Sequence, residues 1–163
     1  MDNRTSKQHY YLGIADAVLG RSTCMRRKYG AIIVRNDEII STGYNGAPRG
    51  RLNCSELGCC TREDLGIPSG ERYELCRSVH AEANAIISAA RRDMLGGTLY
   101  LVGRDAKTGE LLNDTMPCSM CKRLIINAGI TQVVVSRGGG EYEVIHVRDW
   151  VYNDESVPRT LRP

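Results

Sequence analysis

A chain of 163 residues is long enough to bury one hydrophobic core and too short for two independent ones, so a single domain spanning 1–163 is expected. With 42% apolar and 25% charged residues the composition is globular, and it excludes disordered or fibrous structure. A net charge of +3 is too mild for a general nucleic-acid surface, no apolar run approaches the roughly 18 residues of a membrane span, and the polar start MDNRTSKQHY lacks the apolar stretch of a secretory signal, so a cytoplasmic protein acting on neither nucleic acid nor membrane is expected.

The segment Tyr11 to Leu19 places Leu12, Ala15, Val18 and Leu19 on one helical stripe ending near Gly20. Two apolar, β-branched runs follow, Ala31 to Val34 and Ile39 to Thr42, and the turn-prone Asn36 and Asp37 between them predict a hairpin. From Gly43 to about Gly70 the chain is rich in Gly, Pro, Asn and Cys and has little periodicity; a connection this long is either functional or pinned by something. A helix is predicted over His80 to Ala90 and a strand over Thr98 to Val102. Pro117 opens a second helix that Gly129 stops, and in the segment before it, Gly103 to Met116, Lys107-Thr108-Gly109 reads as the tip of a small hairpin. Strands are then expected over Gln132 to Ser136 and Glu143 to Val147, joined by a turn at Gly138 to Gly140, with a polar, mobile tail from Asn153. Strands alternating with helices predict an α/β layered sheet.

The seven cysteines are an odd number in a chain without an export signal, which points to metal binding or free thiols before disulfides. Two short motifs stand out: His80-Ala81-Glu82, and Pro117-Cys118-Ser119-Met120-Cys121. Cys118 and Cys121 are three apart, so on a helix they share a face and can grip one tetrahedral ion. Both motifs begin helices, where the positive end of the helix favours the thiolate a metal needs. His80, Cys118 and Cys121 together leave a fourth position open for water, the pattern of catalytic and not structural zinc. Glu82 is too close to His80 along the chain to be an easy co-ligand, yet it is placed to shuttle protons. Separately each motif has an ordinary explanation: a CxxC is frequently a redox pair or half of a zinc ribbon, and an HAE occurs by chance in helices. Jointly, H-x-E followed downstream by P-C-x-x-C is the signature of zinc nucleobase deaminases.

On these residues the chain resembles the cytidine and deoxycytidylate deaminase superfamily. The resemblance runs from Ser22-Thr23-Cys24-Met25-Arg26 through Gly30-Ala31-Ile32-Ile33-Val34 to Ile125-Ile126-Asn127-Ala128-Gly129-Ile130. The segments Thr42 to Gly50 and Cys76 to Ile86 are similar to its deoxycytidylate branch. The resemblance implies a three-layer α/β/α fold around a mixed sheet of about five strands. It implies hydrolysis of dCMP to dUMP and ammonia by a zinc-activated water with Glu82 as proton shuttle, supplying dUMP for thymidylate synthesis. It further implies homo-oligomers, hexamers among them, and control by dCTP and dTTP.

Asn45 resembles a sugar- or base-contacting residue and Arg26 a 5′-phosphate ligand, against the plainer readings of a turn residue and a solvated Arg26-Arg27-Lys28 surface. Some members carry a second, structural zinc with cysteines resembling Cys24 and Cys54. A closed site drawn from Cys24, Cys54, Cys59 or Cys60, and Cys76 is therefore an expectation beside the alternative of reduced thiols. The insertion Gly103 to Met116 departs from the family pattern and bears on the pocket near Met116. Rival readings are a nucleoside, riboflavin-pathway or tRNA deaminase of the same superfamily, and a non-enzymatic zinc module.

Overall fold

In the computed structural model, which describes residues 2–161, helix α1 (Lys7–Leu19) leads into the hairpin β1 (Arg27–Arg35) and β2 (Glu38–Tyr44). Two short helical turns, α2 (Cys54–Leu57) and α3 (Thr61–Asp64), break up the long connection to α4 (Ala81–Ile87) and α5 (Arg91–Met94). The order is completed by β3 (Thr98–Asp105), α6 (Ser119–Ala128), β4 (Gln132–Gly138), β5 (Glu141–His146) and α7 (Val147–Tyr152). The strands form one sheet in the order β2-β1-β3-β4-β5, with β3 and β4 parallel and the other neighbours antiparallel.

Alternation along the central strands decides the layering. Ala31, Ile33, Leu99, Leu101, Val133 and Val135 face one way and bury against Ala81 and Ala85 of α4, Ile125 and Ala128 of α6 and Val147 of α7. Ile32, Val34, Tyr100, Val102 and Val134 face the other way, against Tyr11, Leu12, Ala15 and Leu19 of α1. Strands covered on both faces read as continuous apolar runs, which is how the sequence presents them. The result is the expected three-layer α/β/α arrangement.

Two glycines set how closely the layers approach. A Cβ at Gly30 would lie 2.1 Å from the Ala15 carbonyl oxygen of α1, and one at Gly43 would lie 2.2 Å from the Ala81 carbonyl oxygen of α4. Both helices therefore rest backbone to backbone on the hairpin, one on each face.

The two-residue loop between β1 and β2 places Asn36 at φ 50° and Asp37 at φ 64°, the doubly left-handed turn that matches strand twist. Asp37 also accepts from Tyr11 Oη at 2.5 Å and pairs with Lys7 at 2.8 Å, tying the start of α1 to the turn. The Gly103 to Met116 segment folds back as a small hairpin: Arg104 pairs with Leu111, and Asp105 accepts from the Lys107 and Thr108 amides at 2.8 and 2.9 Å.

Two elements differ from expectation. The helix predicted over His80 to Ala90 ends at Ile87, because Ser41 of β2 donates to the Ala85 carbonyl at 2.7 Å and the Ala89 amide turns to Ile86 instead; α5 starts only at Arg91. The last strand stops at His146, and Val147 starts α7, which docks Val147 and Trp150 on the core. The tail predicted to be mobile from Asn153 carries a short 3-10 turn at Arg159–Leu161; its last two residues lie outside the described ones. No helix among the described residues is long and apolar enough to cross a membrane.

Candidate active site and metal centre

The first residue before each of two helices carries a donor. His80 caps α4 and Cys118 caps α6, both in extended backbone, and both helices pack on the same face of the sheet. That shared packing brings residues 38 apart in sequence into contact: His80 Nδ1 lies 3.4 Å from Cys118 Sγ and 3.4 Å from Cys121 Sγ. All three donor atoms fall within 4.8 Å of one another, and among the described residues no other group of His, Cys, Asp or Glu converges in this way.

The donors fit zinc. One tetrahedral ion with Zn–S of about 2.3 Å and Zn–N of about 2.0–2.1 Å sets its sulfur and nitrogen ligands roughly 3.6 Å apart, close to the observed spacing. Imidazole and thiolate suit a borderline-soft divalent metal.

The electrostatics of the trio point the same way. The hydrogen bond with Cys121, helped by His80, holds the Cys118 thiol down at about 4, and the same bond with burial pushes Cys121 well up. Burial opposes a charged His80, but the Cys118 bond and the Glu82 carboxylate outweigh it and its pKa is raised.

Glu82, one residue into α4, is 5% exposed and lies outside the converging trio. Burial raises its pKa, against its own backbone amide and the His80 charge, so its carboxyl holds a proton more readily than one in water.

A pocket opens over this centre, bordered by His80, Glu82, Cys118 and Met116 and walled by Tyr29, Asn45 and Tyr73. Asn45 is nearly all committed to the fold: its Oδ1 accepts from Ser22 Oγ at 2.5 Å and the Tyr29 amide at 2.8 Å, and its Nδ2 donates to the Arg27 carbonyl at 2.9 Å. One N–H remains to offer inward. Arg26 borders the pocket and pairs with Glu63 at 3.1 Å.

The remaining cysteines fall on both sides of expectation. Cys24, Cys60 and Cys76 border the same pocket, and the buried Cys54 thiol is raised first by burial and then by charge at Cys24, Cys76 and Cys60. Cys59 is exposed. Among the pocket residues that sequence reasoning missed are Arg62 and Tyr73. Each is a lone polar side chain in an aperiodic stretch, which carries no signal until folding brings it to the site.

A mixed five-stranded sheet covered on both faces, with a histidine and two cysteines gathered at two helix starts, defines a zinc-binding α/β protein of the nucleobase deaminase type. Residues 5–137 match the family described as the cytidine and deoxycytidylate deaminase zinc-binding region, and the chain belongs to that family. It is 40% identical over 136 residues to the deoxycytidylate deaminase of Mycobacterium phage D29, covering 81% of this chain and 95% of that one. It is 38% identical over 131 residues to the deoxycytidylate deaminase of Schizosaccharomyces pombe, of which it spans only 37%. Among solved structures, the dCMP deaminase of cyanophage S-TIM5 in complex with dCMP and dUMP superposes with a TM-score of 0.57 at 27% identity, over 81% of this chain and 83% of that one.

Proposed function

We propose that the chain hydrolyses dCMP to dUMP and ammonia, with zinc held by His80, Cys118 and Cys121 and with Glu82 as proton shuttle. The observation that carries this reading is the convergence of His80 Nδ1 on both thiols at 3.4 Å beside a buried carboxyl. The names of the phage and yeast relatives support the substrate.

Bound zinc would supply Lewis acidity that lowers the pKa of a coordinated water toward neutrality. Glu82 accepts a proton from the attacking water and delivers it to N3 of the pyrimidine as C4 is attacked. It then takes the proton of the new C4 hydroxyl and passes it to the amino group, which departs as ammonia as the C4 carbonyl forms, so one carboxyl acts as base and then as acid. Its burial keeps the proton from exchanging with bulk water between the steps. Asn45 offers its one free N–H to the sugar or base, and Arg26 lies at the pocket wall to meet the 5′-phosphate.

The product would feed thymidylate synthesis in the cytoplasm. Assembly with further copies of the chain finds support in the exposure of Ile87, Leu52 and Tyr152. Effector control by dCTP or dTTP finds support in a second cavity bordered by Arg21, Arg49 and Arg51, a cationic lining suited to a triphosphate.

The experiment is a deamination assay on zinc-loaded protein across dCMP, CMP, dCTP and cytidine, with ammonia as the second readout. Preferred turnover of dCMP is expected; absence of dCMP turnover by protein holding zinc would overturn the reading.

A further inference from the structure

We propose that Arg62 is the residue that selects a phosphorylated substrate, holding the nucleotide's phosphate at the pocket wall; this rests on the nucleotide reading above. Three arginines border the pocket. Two already have counter-charges: Arg26 lies 3.1 Å from Glu63 and Arg27 lies 3.2 Å from Asp114, with side chains 30% and 43% exposed.

Arg62 differs in both respects. It is 7% exposed, and among the described residues no carboxylate pairs with it. Its Nη2 donates to the Pro68 carbonyl at 2.9 Å and its guanidinium lies 4.6 Å from the centre of the Tyr73 ring, while its buried Nε has no hydrogen-bond partner. A guanidinium withdrawn from water without a counter-charge is costly, and one that lines a pocket can be compensated by an anion entering that pocket.

The pocket narrows the choice of acceptor. The same pocket is lined by His80, Glu82 and Cys118, the groups proposed to treat the pyrimidine, and the anionic part of a pyrimidine nucleotide is its phosphate. A planar fork matches phosphate oxygens, and the Tyr73 ring and Pro68 carbonyl fix the plane of that fork in advance. Deoxycytidine brings no anion and would leave Arg62 uncompensated. A site built around a polar group discriminates strongly against the analogue that lacks its partner.

A merely structural Arg62 would act through Tyr73, whose ring meets the His80 ring edge-on at 4.9 Å. That role would depress both substrates alike, so the decisive quantity is the ratio of kcat/KM for dCMP to kcat/KM for deoxycytidine. Zinc-loaded wild type, Arg62→Met and Arg62→Lys are compared. Arg62→Met should lower the ratio about 10–100-fold, the size of a lost charge-assisted hydrogen bond, mainly through KM for dCMP. Arg62→Lys, which keeps charge without the fork, should fall between. Inorganic phosphate should compete with dCMP in the wild type and lose that effect in Arg62→Met.

Equal losses on both substrates, an unchanged ratio, or failure of both variants to fold would each assign Arg62 to structure and overturn the proposal. Wild-type protein that ignores dCMP would bring down the nucleotide reading, an outcome seen before any variant is made.

Discussion

In the proposed cycle Glu82 acts as both base and acid, and its surroundings bear on both roles. Burial raises its pKa, against its own backbone amide and the His80 charge. Glu82→Gln keeps the shape of the side chain and all three metal donors but cannot cycle a proton. It should retain zinc and lose about 10²–10⁴-fold in kcat, checked by metal analysis beside ammonia release; an unimpaired variant would place the shuttle elsewhere. Arg26 offers a graded contrast with Arg62, since its charge is shared with Glu63 and its side chain is 30% exposed. Arg26→Ala should raise KM for dCMP by about 3–10-fold and leave KM for deoxycytidine less affected, because a partly solvated, already paired cation contributes little. Steady-state kinetics on the two substrates separate these cases.

At the scale of elements, the site depends on where α4 rests on the hairpin. Gly43 lets the helix backbone sit directly on β2, since a Cβ there would stand 2.2 Å from the Ala81 carbonyl oxygen and 2.4 Å from the Ala85 amide nitrogen. Gly43→Ala must push α4 outward, carrying His80 and Glu82 away from the two thiols. The expected result is loss of zinc affinity and at least about a 100-fold fall in activity, since small misplacements at a reacting centre are that damaging. Zinc titration would show it, and normal affinity would mean the hairpin yields instead. The opposite layer offers a test without chemistry. Tyr11 is raised to about 12, first by its hydrogen bond to Asp37, above the ordinary tyrosine value near 10. A phenol whose folded pKa is raised stabilises the fold fully below its unfolded pKa and loses that contribution as pH climbs from about 10 to about 12. Tyr11→Phe should therefore lower stability by about 1 kcal/mol at pH 8, with the difference from wild type shrinking above pH 10, as urea unfolding would read.

Which of these elements were legible in the sequence follows from where their causes lie. The strands and the Asn36-Asp37 turn were readable because alternation and turn chemistry are local. The zinc trio was readable because ligand spacing on a helix start is local for Cys118 and Cys121, and His80-Ala81-Glu82 completes a known pairing. The break after Ile87 was not, because a serine 44 residues away takes the Ala85 carbonyl. The helix α7 was hidden because the β-branched Val144, Ile145 and Val147 favour a strand and only the three-residue spacing of Val147 and Trp150 marks a helical face. Arg62 was invisible because its significance is a missing partner, and that is a property of the folded pocket alone.

At the scale of the whole molecule, the open question is what holds the chain between β2 and α4, which supplies one wall of the pocket with only two four-residue helices and a 3-10 turn at Tyr73–Leu75 of its own. Packing contributes little there: Leu52, Leu57 and Leu65 are exposed, whereas Cys54 is buried. Cys24, Cys60 and Cys76 border the pocket, and their charge with burial raises the Cys54 thiol, while Cys59 is turned outward; these sulfurs do not converge as the His80 trio does. A second zinc drawn from Cys24, Cys54, Cys60 and Cys76 would staple both ends of this wall to the start of β1. Its binding free energy would be folding free energy, since unfolded chain offers no preformed site. Purified protein should then contain two zinc ions per chain, and Cys118→Ala should retain one while losing all activity. Chelation of the wild type should melt the molecule at a lower temperature than Cys118→Ala melts with its remaining ion in place. Cys54→Ser should show the complementary pattern, with the His80 trio still loaded, a lower Tm and a wall opened to protease between residues 49 and 76. A stoichiometry of one that Cys118→Ala abolishes would leave these sulfurs as reduced thiols, and the order of the wall would then rest on the Arg77 bond to the Leu52 carbonyl at 3.0 Å and the pairing of Gly46 with Val79.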